Sequence, residues 1–144
     1  MATAALVGII GVIFLALYQD ANVGPEIDRG VFDRRVRELA GPGARECGAF
    51  RVRNRKPTDP ELADRVADCA RIALAEEQPF WIETKGRGID SNFSQAIVVG
   101  PVGKAWVVYF SDDVAGGSDW GPKGRLAVRA CGHVRVPGFV VECR

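Results

Sequence analysis

Four cysteines carry most of the chemistry available to this chain of 144 residues. No two of them stand two to four residues apart and there is one histidine, so the spacing of a zinc site is absent. An even number of thiols in a small domain favours disulfides, which persist in oxidising compartments. Cys131 and Cys143 are equidistant from Pro137, so a hairpin turning there would set them opposite each other. Cys47 is then predicted to pair with Cys69.

The residues that commonly act in hydrolysis show no catalytic arrangement in the sequence. His133 is the single histidine, and a cysteine nucleophile beside it would need a free thiol. Asp90 and Ser91 lie in a segment typical of a turn, without the strand–turn–helix setting of a serine nucleophile. No catalytic residue is assigned, and the chain is predicted to be non-enzymatic. The alternative, a small exported hydrolase-like enzyme, requires Asp90, Ser91, Asp112 and His133 to converge.

A loop rich in Asp and Gly follows residue 111 and offers oxygen ligands for a hard cation. Its spacing does not match a twelve-residue calcium loop, so neither a metal nor a cofactor is predicted. A tryptophan in this loop is costly to leave in water, so it either folds back or makes a contact. Because loops on a rigid sheet commonly carry recognition, the predicted binding surface comprises Trp120, Asp112, Asp113, Asp119, Arg87, Asp90 and Ser91.

The first 18 residues contain no charged side chain. As a helix they would span about 27 Å, close to the hydrocarbon thickness of a bilayer. A basic flank and a small-x-small cleavage site are both missing, which favours a retained anchor over a removed signal. Residues 1–19 are therefore predicted to be a membrane anchor or uncleaved signal segment, with membrane lipid as the partner of residues 1–18.

Two signals disagree about which side of the membrane holds the rest of the chain. Basic residues that follow the apolar run within about 20 residues favour a cytoplasmic domain; they are Arg29, Arg34, Arg35 and Arg37. The cysteines favour export, and they are given more weight. The domain is predicted to lie in the periplasm or outside the cell. A cytoplasm-facing, membrane-tethered regulator with free thiols is the alternative.

Charge is unevenly distributed along the chain. Residues 29–56 carry nine basic and three acidic side chains, although the whole chain has a formal charge of +1. One interpretation is a set of solvated helix and strand faces. The other is contact with anionic lipid headgroups or another polyanion, in which each basic side chain near the surface contributes about 1 kcal/mol.

An amphipathic helix is predicted ahead of the first cysteine. Phe32, Val36 and Leu39 recur at helical spacing, and Gly41, Pro42 and Gly43 end the pattern. Residues 20–46 are interpreted as a juxtamembrane stalk. Its helix is a linker, a dimer surface or a helix in the headgroup plane.

Residues 47–144 are predicted to form a disulfide-stapled α+β domain. Thr58, Asp59, Pro60 and Glu61 form a capping box ahead of a long helix. After Pro79 the apolar period changes to that of strands, in runs at 80–85, 93–99, 105–111, 125–131 and 139–143. The sequence thus predicts an apolar membrane helix, a short amphipathic helix and one long helix packed on an antiparallel meander of five to six strands.

The segment from Gln95 to Gly100 is similar to the Q-x-V-x-G hairpin of cystatin protease inhibitors, with the glycine one residue later. The resemblance covers about residues 47–131 and implies a helix wrapped by an antiparallel sheet, with protease inhibition as a further alternative function. The main functional prediction is a membrane-anchored or secreted domain that binds a protein or a cell-envelope component. No nucleic-acid partner is expected, and no oligomeric state is predicted.

Overall fold

The computed structural model describes residues 29–87, 91–112, 125–138 and 140–144. These residues form an α+β fold with two helices and a six-stranded mixed sheet. The predicted anchor, residues 1–19, lies outside the described residues. Neither helix in the described part is long and apolar enough to span a bilayer.

The helices and strands are named in chain order. The helices are α1 (Arg29–Ala40) and α2 (Pro60–Ala75). The strands are β1 (Arg45–Arg53), β2 (Lys56–Pro57), β3 (Phe80–Arg87), β4 (Asn92–Val99), β5 (Ala105–Ser111), β6 (Arg125–Cys131), β7 (Val134–Arg135) and β8 (Glu142–Cys143).

The sheet has the strand order β2-β1-β3-β4-β5-β6. β1 and β3 are parallel, so the predicted antiparallel meander is wrong for this pair and holds only from β3 onwards. The physical reason is the helix between them: α2 returns the chain to the end of the sheet where β1 began, so β3 runs in the same direction.

The N-cap of the long helix is one residue later than Thr58, where the predicted capping box begins. Asp59 is the N-cap, and its carboxylate accepts a hydrogen bond from the backbone amide of Leu62 at 3.0 Å. The hydroxyl of Thr58 instead donates to the carbonyl of Arg51 at 3.4 Å. Small side chains on the inner face bring α2 close to the sheet; they are Ala63, Ala67, Ala70 and Ala73.

The amphipathic helix α1 covers the opposite face of the sheet. Phe32, Val36 and Ala40 are buried, and the rings of Phe32 and Phe110 lie 6.1 Å apart. Residues 29–46, which the sequence assigned to a stalk, therefore share the core of the domain. The apolar stripe expected to form a linker, dimer or headgroup-plane surface is occupied by the sheet instead.

Both predicted disulfides are confirmed. Cys47 pairs with Cys69, and Cys131 pairs with Cys143, each with a Cα–Cα distance of 5.4 Å. The hairpin that carries the second bridge has a different register from the prediction, because Val134 is the residue opposite Cys143. Cys131 ends the preceding strand, and the strand expected over residues 139–143 is limited to Glu142–Cys143.

The sheet has two ends, which we call the stapled end and the basic end. The stapled end is where β1 and β3 begin, where β6 ends at Cys131, and where the hairpin 100–104 lies. The basic end is where β1 reaches Arg53 and β3 reaches Arg87. The helix α1 starts at the basic end, since Arg29 contacts Glu83 and Ser94 there.

Candidate functional site

Three of the predicted binding residues lie in the described part of the chain, all at the basic end. Arg87 ends β3, Ser91 precedes β4 and Asp112 follows β5. The carboxylate of Asp112 accepts hydrogen bonds from the backbone amide of Asn92 and from its Nδ2, the latter at 3.0 Å. Both oxygens of Asp112 thus tie β4 to β5. Trp120, Asp90, Asp113 and Asp119 lie outside the described residues.

A cavity of about 470 Å³ opens at this end, between the start of α1 and the sheet. Phe110 supplies an apolar wall, and Arg29 and Asp112 supply opposite charges. Both charged groups are already engaged in hydrogen bonds. The cavity consequently offers apolar surface with little unpaired charge.

A buried carboxylate fixes the start of α1 on the sheet. Glu83 is 4% exposed, and Arg29 donates hydrogen bonds to its Oε1 and to the hydroxyl of Ser94. The Nζ of Lys85 lies 3.5 Å from the other oxygen of Glu83. A buried carboxylate needs such partners, because removing its charge from water costs several kcal/mol. Sequence reasoning missed this cluster, although Glu83 stands at an inward-facing position of an apolar strand, which was a usable signal.

Six basic side chains gather beside this cluster, and we call them the basic surface: Arg51, Arg53, Arg55, Lys56, Lys85 and Arg87. The parallel register sets Arg51 beside Lys85, and the hairpin pairs Arg53 with Lys56. Strand alternation places Arg51, Arg53, Lys85 and Arg87 on the face that carries α1. α1 packs mainly over β4 and β5, so this face of β1 is left open.

The charges of the basic surface are largely uncompensated. Arg51, Arg53, Arg55, Lys56 and Arg87 are exposed, and none forms an ion pair with any described residue. Lys85 is half-buried and contacts Glu83. A cluster of exposed basic side chains attracts anions at close range, with a reach set by the ionic strength.

The tip of the β1–β2 hairpin holds an arginine in an unfavourable conformation. Asn54 and Arg55 have φ values of 51° and 63°, and a two-residue type I′ hairpin turn requires a positive φ at both of these positions. Glycine is the favoured second residue, because an L side chain in the left-handed region costs about 1 kcal/mol. This turn therefore places a charge where glycine would be more stable.

His133 lies at the opposite, stapled end. Its side chain is exposed, and its backbone exchanges hydrogen bonds of 2.8 and 2.9 Å with Arg144. The length of β5 separates this end from Ser91 and Asp112, which is about 20 Å for seven residues. The three described residues that the hydrolase alternative needs do not converge. Asp90, the fourth, lies outside the described residues.

Two further predictions bear on ligand chemistry. Within the described ranges, no group of three or more His, Cys, Asp or Glu side chains is placed to hold a metal ion. The segment that resembles the cystatin hairpin lies in the central strand β4 up to Val99, and its residues Ala96 to Gly100 are buried. Buried residues of a central strand are closed to a protease.

No known protein family, curated protein or solved structure matches this chain.

Proposed function

We propose that this chain is a membrane-tethered, extracytoplasmic binding module without enzymatic activity, and that it contacts a protein or envelope component through the basic end of its sheet. The observation that carries the proposal is the pairing of its cysteines. Both pairs are bonded, and no described cysteine is free. Such bonds are typical of compartments outside the cytoplasm.

The tether is supported by the sequence. The uncharged run of residues 1–18 matches the thickness of a bilayer, and only ten residues separate it from the start of α1 at Arg29. A domain held in this way works close to the membrane surface.

The choice of the basic end is supported by what gathers there. Arg87, Ser91 and Asp112 lie at this end, as does the open basic face of β1. The strands β3 and β5 both finish at this end, at Arg87 and Ser111. Residues at the ends of strands are common carriers of recognition on a rigid sheet.

Alkylation of the native chain tests the compartment. The chain is isolated from its own cells and labelled with and without prior reduction, and the labels are counted by mass spectrometry. The proposal predicts that all four cysteines react only after reduction. Four cysteines that react without reduction would favour the cytoplasm-facing regulator and contradict export.

Site-specific cross-linking tests the contact surface. A photoreactive residue replaces Arg87 at the basic end or, as the matched control, the exposed Lys104 at the stapled end. The proposal predicts adducts with an envelope lipid or protein from position 87 and none from position 104. Adducts from position 104 alone would place the contact at the wrong end.

A further inference from the structure

We infer that the basic surface docks on the anionic phospholipid headgroups of the membrane to which the chain is tethered. The inference rests on the proposed tether and names the partner of the basic end. Its occupant is the lipid bilayer itself, bound by charge rather than by an apolar insertion.

The first step is charge complementarity. Five of the six basic side chains are exposed and free of ion pairs within the described residues. Among the described acidic side chains at this end, Glu83 is buried and held by Arg29 and Lys85, and Asp112 is hydrogen-bonded to Asn92, so the six basic side chains outnumber them. Anionic headgroups at a membrane surface attract such clusters of Lys and Arg.

The second step is position. Arg29, the first described residue, contacts Glu83, which in turn contacts Lys85 of the basic surface. The chain that leads to the apolar run therefore departs from the same end of the sheet. Residues 19–28 reach at most about 35 Å when fully extended, so the basic surface stays within reach of the headgroups.

The third step is the strained hairpin tip. Arg55 has a positive φ where glycine is favoured, and its side chain is exposed without a described partner that would stabilise it. Backbone strain of this kind is typical of positions kept for function. Here the turn places the charged side chain of Arg55 beyond the end of β1.

The bilayer is favoured over a soluble polyanion such as a nucleic acid because of the tether. A surface held near the membrane meets headgroups at a high effective concentration, whereas a free polyanion must be recruited from solution. The hairpin and the neighbouring end of β3 need only modest affinity for each headgroup in this arrangement.

The test measures partition of the full chain between buffer and vesicles. One set of vesicles is phosphatidylcholine, and the other contains about a third phosphatidylglycerol, a composition that gives a negative surface. The neutral vesicles report the contribution of the apolar run, so the ratio of the two partition coefficients reports the basic surface. We expect a ratio well above one at low salt that falls towards one in about 1 M salt, where the screening length is about 3 Å.

Two triple variants with the same change in net charge locate the effect. R53Q/R55Q/K56Q removes three charges of the basic surface, and R37Q/K104Q/R135Q removes three exposed charges towards the stapled end that have no ion-pair partner among the described residues. We expect the first to lower the ratio on the order of a hundredfold, about fivefold per charge, and the second to leave it near the wild-type value. Equal urea midpoints for the two variants check that both fold.

Several results would overturn the inference. They are a wild-type ratio of one, an equal loss in both triple variants, and competition by a short DNA duplex at equivalent charge that removes the chain from anionic vesicles. Failure of the tether gives a different result. A chain that does not bind neutral vesicles but binds anionic ones lacks an anchor and keeps its lipid-binding surface.

Discussion

At the stapled end of the sheet the chain closes on itself, whereas at the basic end it presents charge. The stapled end has the bond between Cys131 and Cys143, a backbone pair between His133 and Arg144, and a hairpin in which the amide of Gly100 donates to the carbonyl of Lys104 at 2.8 Å. The basic end holds exposed arginines with no described ion-pair partner. The bridge and the exposed basic side chains are thus at opposite ends of one sheet.

The magnitudes agree with this division. A disulfide stabilises a small domain by about 3 kcal/mol, while an exposed charge contributes at most about 1 kcal/mol to folding. The exposed charges of the basic surface can therefore be changed with little effect on the fold. The same is not true of the bridges, or of the packing where Gly100 approaches α1.

The largest predicted effect concerns the bridge between β1 and α2. C47A/C69A is expected to lose about 3 kcal/mol of unfolding free energy. Without the bond, the unfolded chain regains the conformational entropy of a loop that spans 22 residues. C131A/C143A closes a shorter separation of 12 residues and is expected to lose about half a kcal/mol less. Urea unfolding measures both.

The same variants sharpen the comparison between the two ends. If both remain folded, their preference for anionic vesicles should equal that of the wild-type chain. A loss of that preference in a folded variant would show that the bridges support the basic surface and would remove the proposed division.

The next largest loss of stability comes from a steric clash, which can be compared at two glycines. A Cβ at Gly100 would lie 2.4 Å from the backbone oxygen of Leu39, so G100A is expected to lose about 2 to 3 kcal/mol. G86A at the basic end would meet the side chain of Phe93, which can move, so its loss is expected to be smaller. Thermal or urea unfolding of the two variants gives the order, and the reverse order would contradict the packing of α1 against the stapled end.

One arginine at the basic end has a structural role. R29M is expected to lose about 1 to 2 kcal/mol because it leaves buried Glu83 with Lys85 alone, a cost reduced by the 41% exposure of the Arg29 side chain. In a double-mutant cycle, R29M/E83Q should lose less than the sum of the single variants. Strict additivity would mean that the pair contributes no coupling.

The smallest effect has opposite signs for stability and binding. R55G is expected to raise the unfolding free energy by about 0.5 to 1 kcal/mol, because glycine relieves the positive φ of the turn. It should also lower the anionic-to-neutral partition ratio about fivefold. A variant that is more stable and binds anionic vesicles equally well would show that this strain has no role in binding.

Much of the fold was accessible from local patterns in the sequence. Strand alternation and turn residues gave β5 and β6 with their observed bounds, and cysteine spacing gave both disulfide pairs. The parallel pairing of β1 with β3 was missed, because a period of two identifies a strand without identifying its neighbour. Long-range partners explain the rest, since Arg29 and Glu83 are 54 residues apart and neither segment identifies the other as its partner.

The candidate site was less accessible than the fold. The excess of basic residues in 29–56 was visible in the sequence, but that block also includes the arginines of α1, which are not part of the basic surface. Only the register of β1 with β3 adds Lys85 and Arg87 to the arginines of the hairpin. The basic surface is a product of topology, which local patterns do not encode.

Lysine footprinting tests the central claim most directly, because the chain carries its own control. Lys56 belongs to the basic surface, and Lys104 lies exposed at the stapled end. The full chain is acylated while bound to anionic or to neutral vesicles, and the modification rate of each lysine is read by mass spectrometry. The account predicts slower acylation of Lys56 on anionic vesicles with no change at Lys104, whereas equal rates at Lys56 or protection of Lys104 alone would contradict it.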